Sequence, residues 1–193
     1  MIEKAVPVVR GVSDRTPADR TVEVWDLPLR LWHWALALCV VTAWFTPTVY
    51  DSLHRIAGYT VIGLLVFRLL WGFWGSRYSR FGMLGVRLRA APSYLWNLRR
   101  GITGRYLGLN PAGTLMLVAL LLSLAVSTIT GALSVTVPFF GVWWIEDPHV
   151  YASDAVIILA VLHIVGVVLM GVLRRENLIR AMITGRKRVR HHP

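Results

Sequence analysis

Four long stretches of this sequence are almost free of charge, and they constrain its fold more than any other feature. They run over residues 31–50, 56–74, 106–145 and 155–173, and Arg68 is the one charged residue within them. A helix of about 20 residues crosses the ~30 Å hydrocarbon layer of a bilayer. The sequence therefore predicts an all-α integral membrane protein, a bundle of four transmembrane helices.

Capping residues and prolines indicate where the helices begin and end. Asp26 and Pro28 are typical of a helix start, and Pro47 marks the end of the first helix. The third helix is expected over about 112–137, and the fourth is expected to begin near Pro148.

These signals divide the chain into a membrane domain and two tails. We predict a flexible cytoplasmic tail over 1–24, a four-helix transmembrane domain over 25–175 and a basic cytoplasmic tail over 176–193. A short helix over 92–100, which combines aromatic residues with Arg99 and Arg100, is expected on the inner membrane surface.

The excess of positive charge is concentrated between and after the apolar stretches. The net charge is +11, from 21 Lys and Arg against 10 Asp and Glu. Residues 77–105 contain seven arginines and no acidic residue, whereas the loop 136–148 contains Glu146 and Asp147 and no basic residue. Because positive loops stay in the cytoplasm, both termini are predicted to be cytoplasmic. The charge is thus a topology signal, and no nucleic-acid partner is expected.

Four of the six histidines lie in or at the ends of the predicted membrane helices; His191 and His192, in the basic tail, have no expected role. His149 and His163 are 14 residues apart, which places them within about 40° on one helix face and ~21 Å apart along its axis. By depth, His54 is expected beside His149 near the outer side. His33 is expected beside His163 nearer the inner side.

Paired imidazoles in an apolar bundle suit the two axial positions of a b-type haem. The single Cys39 excludes an intrachain disulfide, a thiolate cluster and covalent CxxCH haem attachment. The predicted metal ligands are therefore the four histidines, and the predicted cofactors are two non-covalent haem b groups. Arg68, 14 residues after His54, is predicted to bind a propionate of the inner haem or to reach the lipid headgroups.

Seven motifs together resemble the bacterial cytochrome b561 family, which includes the b-type cytochrome subunits of nickel-iron hydrogenases. They are VWDLPLRLWHW (24–34), HRIAGY (54–59), RLLWGFWGSRYSRF (68–81), LNPAGTLM (109–116), TGAL (130–133), LHIVGV (162–167) and RRENLIRAMITGRKR (174–188). The resemblance implies a four-helix, two-haem membrane cytochrome, with His33, His54, His149 and His163 at the ligand positions.

The function expected from these observations is electron transfer in the bacterial inner membrane. We expect electrons to pass between the quinone pool and a periplasmic redox partner, either a c-type cytochrome or a hydrogenase small subunit. The narrower alternatives are a dedicated hydrogenase subunit and a stand-alone superoxide:quinone oxidoreductase. A haem-free membrane transporter or assembly protein is the alternative from a different class.

Overall fold

The computed structural model describes residues 20–76, 80–101 and 108–189. In chain order, its elements are β1 (Arg20–Glu23), α1 (Leu27–Phe45), α2 (Asp51–Trp74), a 3-10 turn (Phe81–Met83), α3 (Leu84–Arg89), α4 (Ala91–Arg99), α5 (Pro111–Ser134), a second 3-10 turn (Val137–Phe139), α6 (Trp143–Arg174), α7 (Leu178–Thr184) and β2 (Arg186–Val189).

Four of the described helices, α1, α2, α5 and α6, are long and apolar enough to cross a membrane. They correspond to the four charge-free stretches, which confirms the predicted all-α four-helix membrane fold. α1 begins as its sequence indicates: the Asp26 carboxylate accepts the Leu29 N–H at 2.9 Å, and Pro28 lies in the first turn. The helix ends at Phe45, before Pro47.

The predicted start of α6 near Pro148 is wrong by about one turn, because the helix begins at Trp143. Pro148 lies inside the helix and lacks the N–H that would bond to the carbonyl four residues earlier. The helix thereby loses only one hydrogen bond. This bond lies close to the N-terminus of the helix, where the first N–H groups have no intrahelical partner in any case. His149 is therefore held within a regular helix and not at its frayed end.

The four long helices form two antiparallel hairpins. α1 packs against α2, α5 packs against α6, and the hairpins join where α2 contacts α5. In the part of the chain that the structure describes, neither α1 nor α2 packs against α6 to a comparable extent. Buried Val61, Leu124 and Val156 form the core cluster, whereas most other apolar side chains face outward, as expected for helices that contact lipid.

The bundle has two chemically different ends. At the arginine-rich end lie Arg80, Arg87 and Arg175, beside the start of α1 and the end of α2. At the acidic end lie Asp51, at the start of α2, and Glu146 and Asp147, in the first turns of α6.

Residues 20–23, at the end of the tail predicted over 1–24, form the strand β1. β1 pairs with β2 as an antiparallel ribbon, with Arg20 opposite Val189 and Glu23 opposite Arg186. The reason is the left-handed turn at Gly185 (φ 79°), which ends α7 and turns its carbonyl toward the N–H groups of Val24 and Trp25, at 2.8 and 3.1 Å. The two tails therefore stabilise each other; residues 1–19 lie outside the described part.

Arg30 adds a second connection between the tail segments and the bundle. Its guanidinium donates to the carbonyl of Ile183 in α7. The segment after α6 is thereby fixed to the start of α1, although the sequence pattern shows only a run of basic residues.

α4 confirms that a short helix follows the second span, over Ala91–Arg99. It packs against α5 and buries Ala91 and Tyr94, while Trp96 stays exposed. Its position on the inner membrane surface stays a prediction.

Candidate functional site

Two pairs of imidazole rings lie between the hairpins of the bundle. The His33 ring of α1 lies 6.4 Å from the His163 ring of α6, measured between centroids. The His54 ring of α2 lies 6.2 Å from the His149 ring of α6. The structure thus brings together the histidines that the sequence pairs by depth. The four rings are half-buried.

Each pair joins α6 to one helix of the first hairpin. His149 and His163 lie on one face of α6, about 21 Å apart along its axis. This face is turned toward the first hairpin, while α5 covers another side of α6. One helix therefore supplies one imidazole to each pair, and α1 and α2 supply one each.

His54 is oriented by a backbone carbonyl at the end of α1. Its Nδ1 atom lies 2.8 Å from the Ala43 oxygen. In a continuous helix that carbonyl accepts from the residue four positions later, but this residue is Pro47, which has no N–H. Since a carbonyl can only accept, Nδ1 carries the proton and Nε2 keeps a lone pair for a metal.

His149 is oriented in the same way by α5. Its Nδ1 atom lies 2.7 Å from the Ser127 oxygen, so this ring also presents an unprotonated Nε2. Gly131 makes the approach possible, because a Cβ atom there would lie 2.7 Å from two atoms of the ring. The Ser127 and Ser153 hydroxyls bond at 2.7 Å, and Ser153 also donates to the His149 carbonyl.

The His33 ring of the other pair lacks this support. The Nδ1 atom of His33 is buried, with no hydrogen-bond partner among the described residues. The His33 ring makes an edge contact with Trp34, at 5.3 Å between centroids. The two pairs therefore hold their imidazoles by different means.

The donor set fits a haem better than a bare metal ion. Within the described ranges, no group of three or more His, Cys, Asp or Glu side chains could hold a metal. A metal bound about 2 Å from each of two facing nitrogens places the ring centroids roughly 6 Å apart. The observed 6.2 and 6.4 Å agree with that spacing. Two imidazoles per site leave four equatorial positions, which a porphyrin fills.

Arg68 is buried in the bundle at the arginine-rich end, with 3% of its surface exposed. Its guanidinium lies 4.5 Å from the centre of the Phe81 ring and 5.8 Å from that of Trp32, the neighbour of His33. Its Nε and Nη1 atoms have no hydrogen-bond partner in the described part of the chain. Arg68 therefore does not extend its charge into water at the membrane surface, as a snorkelling arginine does.

Sequence patterns identify the imidazoles but not the groups that orient them. The acceptors are the main-chain carbonyls of Ala43 and Ser127, and neither residue type signals this role. Two indirect signals were present: Pro47, four residues after Ala43, and Gly131, four residues after Ser127.

Inward-facing imidazole pairs in a four-helix membrane bundle are the architecture of a membrane cytochrome. A family model described as prokaryotic cytochrome b561 matches residues 24–185, and the chain belongs to this family. The resemblance seen in the sequence motifs is confirmed. The protein is a multi-pass inner-membrane b-type cytochrome with haem as its cofactor, which excludes the haem-free transporter or assembly protein.

Three curated relatives, each named a probable Ni/Fe-hydrogenase B-type cytochrome subunit, match this chain. Those from Azotobacter chroococcum mcd 1 and Azotobacter vinelandii are each 28% identical over an alignment of 141 positions, gaps included, which covers 59% of this chain and 58% of theirs. The chain thus spans little more than half the length of these two relatives. The relative from Rhodobacter capsulatus is 25% identical over an alignment of 215 positions, gaps included, which covers 86% of this chain and 81% of its own. No solved structure matches the chain significantly.

Proposed function

We propose that this protein carries electrons across the membrane through two haem b groups, between the quinone pool and a redox partner outside the cytoplasm. The observation that carries the proposal is the placement of two imidazole pairs at two depths of the bundle. A bound haem supplies reversible one-electron chemistry at its iron.

In this proposal His54 and His149 would hold one haem, and His33 and His163 would hold the other. With two imidazoles at each iron, the site would leave no position for oxygen, which would favour electron transfer over oxygen activation. The Ala43 and Ser127 carbonyls hold the Nδ1 protons of the first pair, which fixes the rings and makes them stronger ligands. Arg68, buried next to Trp32, is the proposed partner of a haem propionate.

The partner is proposed from the relatives and from charge. Because the relatives are named as hydrogenase subunits, a hydrogenase small subunit is the first candidate, with a c-type cytochrome as the second. Exposed Glu146 and Asp147 at the acidic end suit a positively charged partner face, whereas Asp51 is paired with Arg55 at 2.7 Å. A stand-alone superoxide:quinone oxidoreductase is the alternative without a protein partner.

Single His→Ala variants test the ligand pairs. His54→Ala and His149→Ala are expected to lose the same haem, and His33→Ala and His163→Ala the other, because each variant removes half of the axial ligation of one iron. The haem-to-protein ratio and reduced-minus-oxidised spectra measure the loss, with His191→Ala as a histidine control. Loss of the same spectral component from His54→Ala and His33→Ala would show that the pairing is wrong.

Gly131→Ala tests how His149 is positioned. The added Cβ would lie 2.7 Å from the ring, so we expect the ring to be displaced from the Ser127 carbonyl and the haem held by His54 and His149 to be depleted or spectrally altered. Gly166→Ala in α6 is the matched control, since a Cβ there meets no atom within 4 Å. Equal haem content and identical spectra in the two variants would contradict this role of Gly131.

Reporter fusions test the proposed orientation, in which both termini and the arginine-rich end face the cytoplasm. A reporter that is active only in the periplasm is expected to be silent after Pro193 and active when inserted near Phe140, because positively charged segments are retained in the cytoplasm. A reporter that is active only in the cytoplasm should give the reverse pattern. Activity of the periplasmic reporter after Pro193 would reverse the assignment of the two haems to sides.

A further inference from the structure

A small cavity at the arginine-rich end is lined, among the described residues, by three arginines and by no acidic residue. It lies between α2, the first 3-10 turn, α3 and the beginning of α5, and has a volume of about 10 Å³. Its lining residues are Arg68, Arg80, Phe81, Leu84, Arg87, Leu109, Thr114 and Leu117. Three cations around one cavity repel each other, and an anion between them offsets this repulsion.

Arg68 provides the strongest indication of an anion-binding site. A guanidinium stays protonated, and a buried charge without a partner is costly. The nearby carboxylate of Asp26 interacts electrostatically with Arg68. However, Asp26 accepts hydrogen bonds from the Leu29 N–H and the Trp71 indole N–H, at 2.9 and 3.3 Å. The Nε and Nη1 atoms of Arg68 find no hydrogen-bond partner within the described ranges.

The other two arginines complete the charged lining. The Nε atom of Arg80 donates to the Gly75 carbonyl at 2.7 Å, which fixes the side chain near the end of α2. Arg87 is half-buried in α3, whereas Arg89 of the same helix is exposed and does not line the cavity. The chain therefore places one buried arginine and two more accessible ones around one cavity.

We propose that Arg68, Arg80 and Arg87 form a binding site for one anionic oxygen group, a carboxylate or a phosphate. Charge-assisted bonds from guanidinium to such groups are strong, and arginine is the residue that best matches their geometry. The cavity has room for about one water-sized group, so only an oxygen-bearing tip enters it.

Two sources supply this chemistry. One is a haem propionate, which rests on the proposed function, because Arg68 contacts Trp32, the neighbour of the proposed ligand His33. The other is the phosphate of an acidic phospholipid, which would reach the site past the exposed Arg80 and does not depend on the haem ligands. The interhelical position of the basic cavity is typical of sites for acidic lipid headgroups.

The test compares Arg68→Gln and Arg87→Gln with Arg89→Gln, the control from the same helix as Arg87. Each full-length haem-loaded protein is assembled in bilayer discs of phosphatidylcholine with phosphatidylglycerol, and the phosphatidylglycerol that stays bound after extraction into detergent is quantified by mass spectrometry. The midpoint potentials of the haems are then titrated in detergent without phospholipid.

A phosphate ligand predicts that Arg68→Gln and Arg87→Gln retain about tenfold less phosphatidylglycerol than wild type and Arg89→Gln, since each loses a charge-assisted bond. A propionate ligand predicts equal retention in all four proteins. It also predicts that Arg68→Gln and Arg87→Gln lower the midpoint potential of one haem more than that of the other, relative to wild type, because a lost positive charge disfavours the reduced state.

The proposal is overturned if Arg68→Gln and Arg87→Gln match Arg89→Gln in both lipid retention and potentials. Because Arg87 is only half-buried, its variant keeps the test valid if Arg68→Gln fails to fold. Failure of the proposed haem pairing is a separate result, read from the haem content of the histidine variants, and it leaves the lipid measurement interpretable.

Discussion

The placement of α6 opposite the first hairpin is the constraint on which the rest of the structure depends. α6 packs along α5, and it faces the first hairpin through His149, through His163 and, midway between them in sequence, through Val156 in the core cluster with Val61. In our proposal each imidazole pair holds one haem. The imidazole pairs then connect the hairpins, and the fold and the electron path depend on the same four side chains.

Two residues help to orient His54 and His149 because each of them lacks a chemical group. Pro47 has no N–H and so leaves the Ala43 carbonyl available to His54. Gly131 has no side chain and so lets His149 approach the Ser127 carbonyl. Both effects fix the protonated nitrogen of the ring, as is common for histidines that bind metals. Among the described residues, His33 has no such acceptor on its Nδ1 atom, so the two sites are expected to differ in ligand strength.

Features that depend on the pattern of residues along one continuous stretch of sequence were predictable. Charge-free stretches indicated the four helices, and counting along those helices brought His33 to His163 and His54 to His149. Features that arise from backbone geometry or tertiary contact were not predictable in this way. The start of α6 was placed too late because a helix tolerates a proline such as Pro148 at little cost near its beginning. The β1–β2 ribbon was not predicted because its strands have only four residues each and are far apart in the sequence.

The electronic state of the irons in the purified protein tests the central claim most directly. If imidazole pairs hold two haems, the oxidised protein contains two haem b groups per chain, and electron paramagnetic resonance shows two low-spin ferric signals of the bis-imidazole type with no high-spin signal. The two signals are expected to differ, because only one pair has both Nδ1 atoms bonded to carbonyls of the described residues. A single haem per chain, or a high-spin ferric signal from an iron with an open axial position, would contradict the proposal.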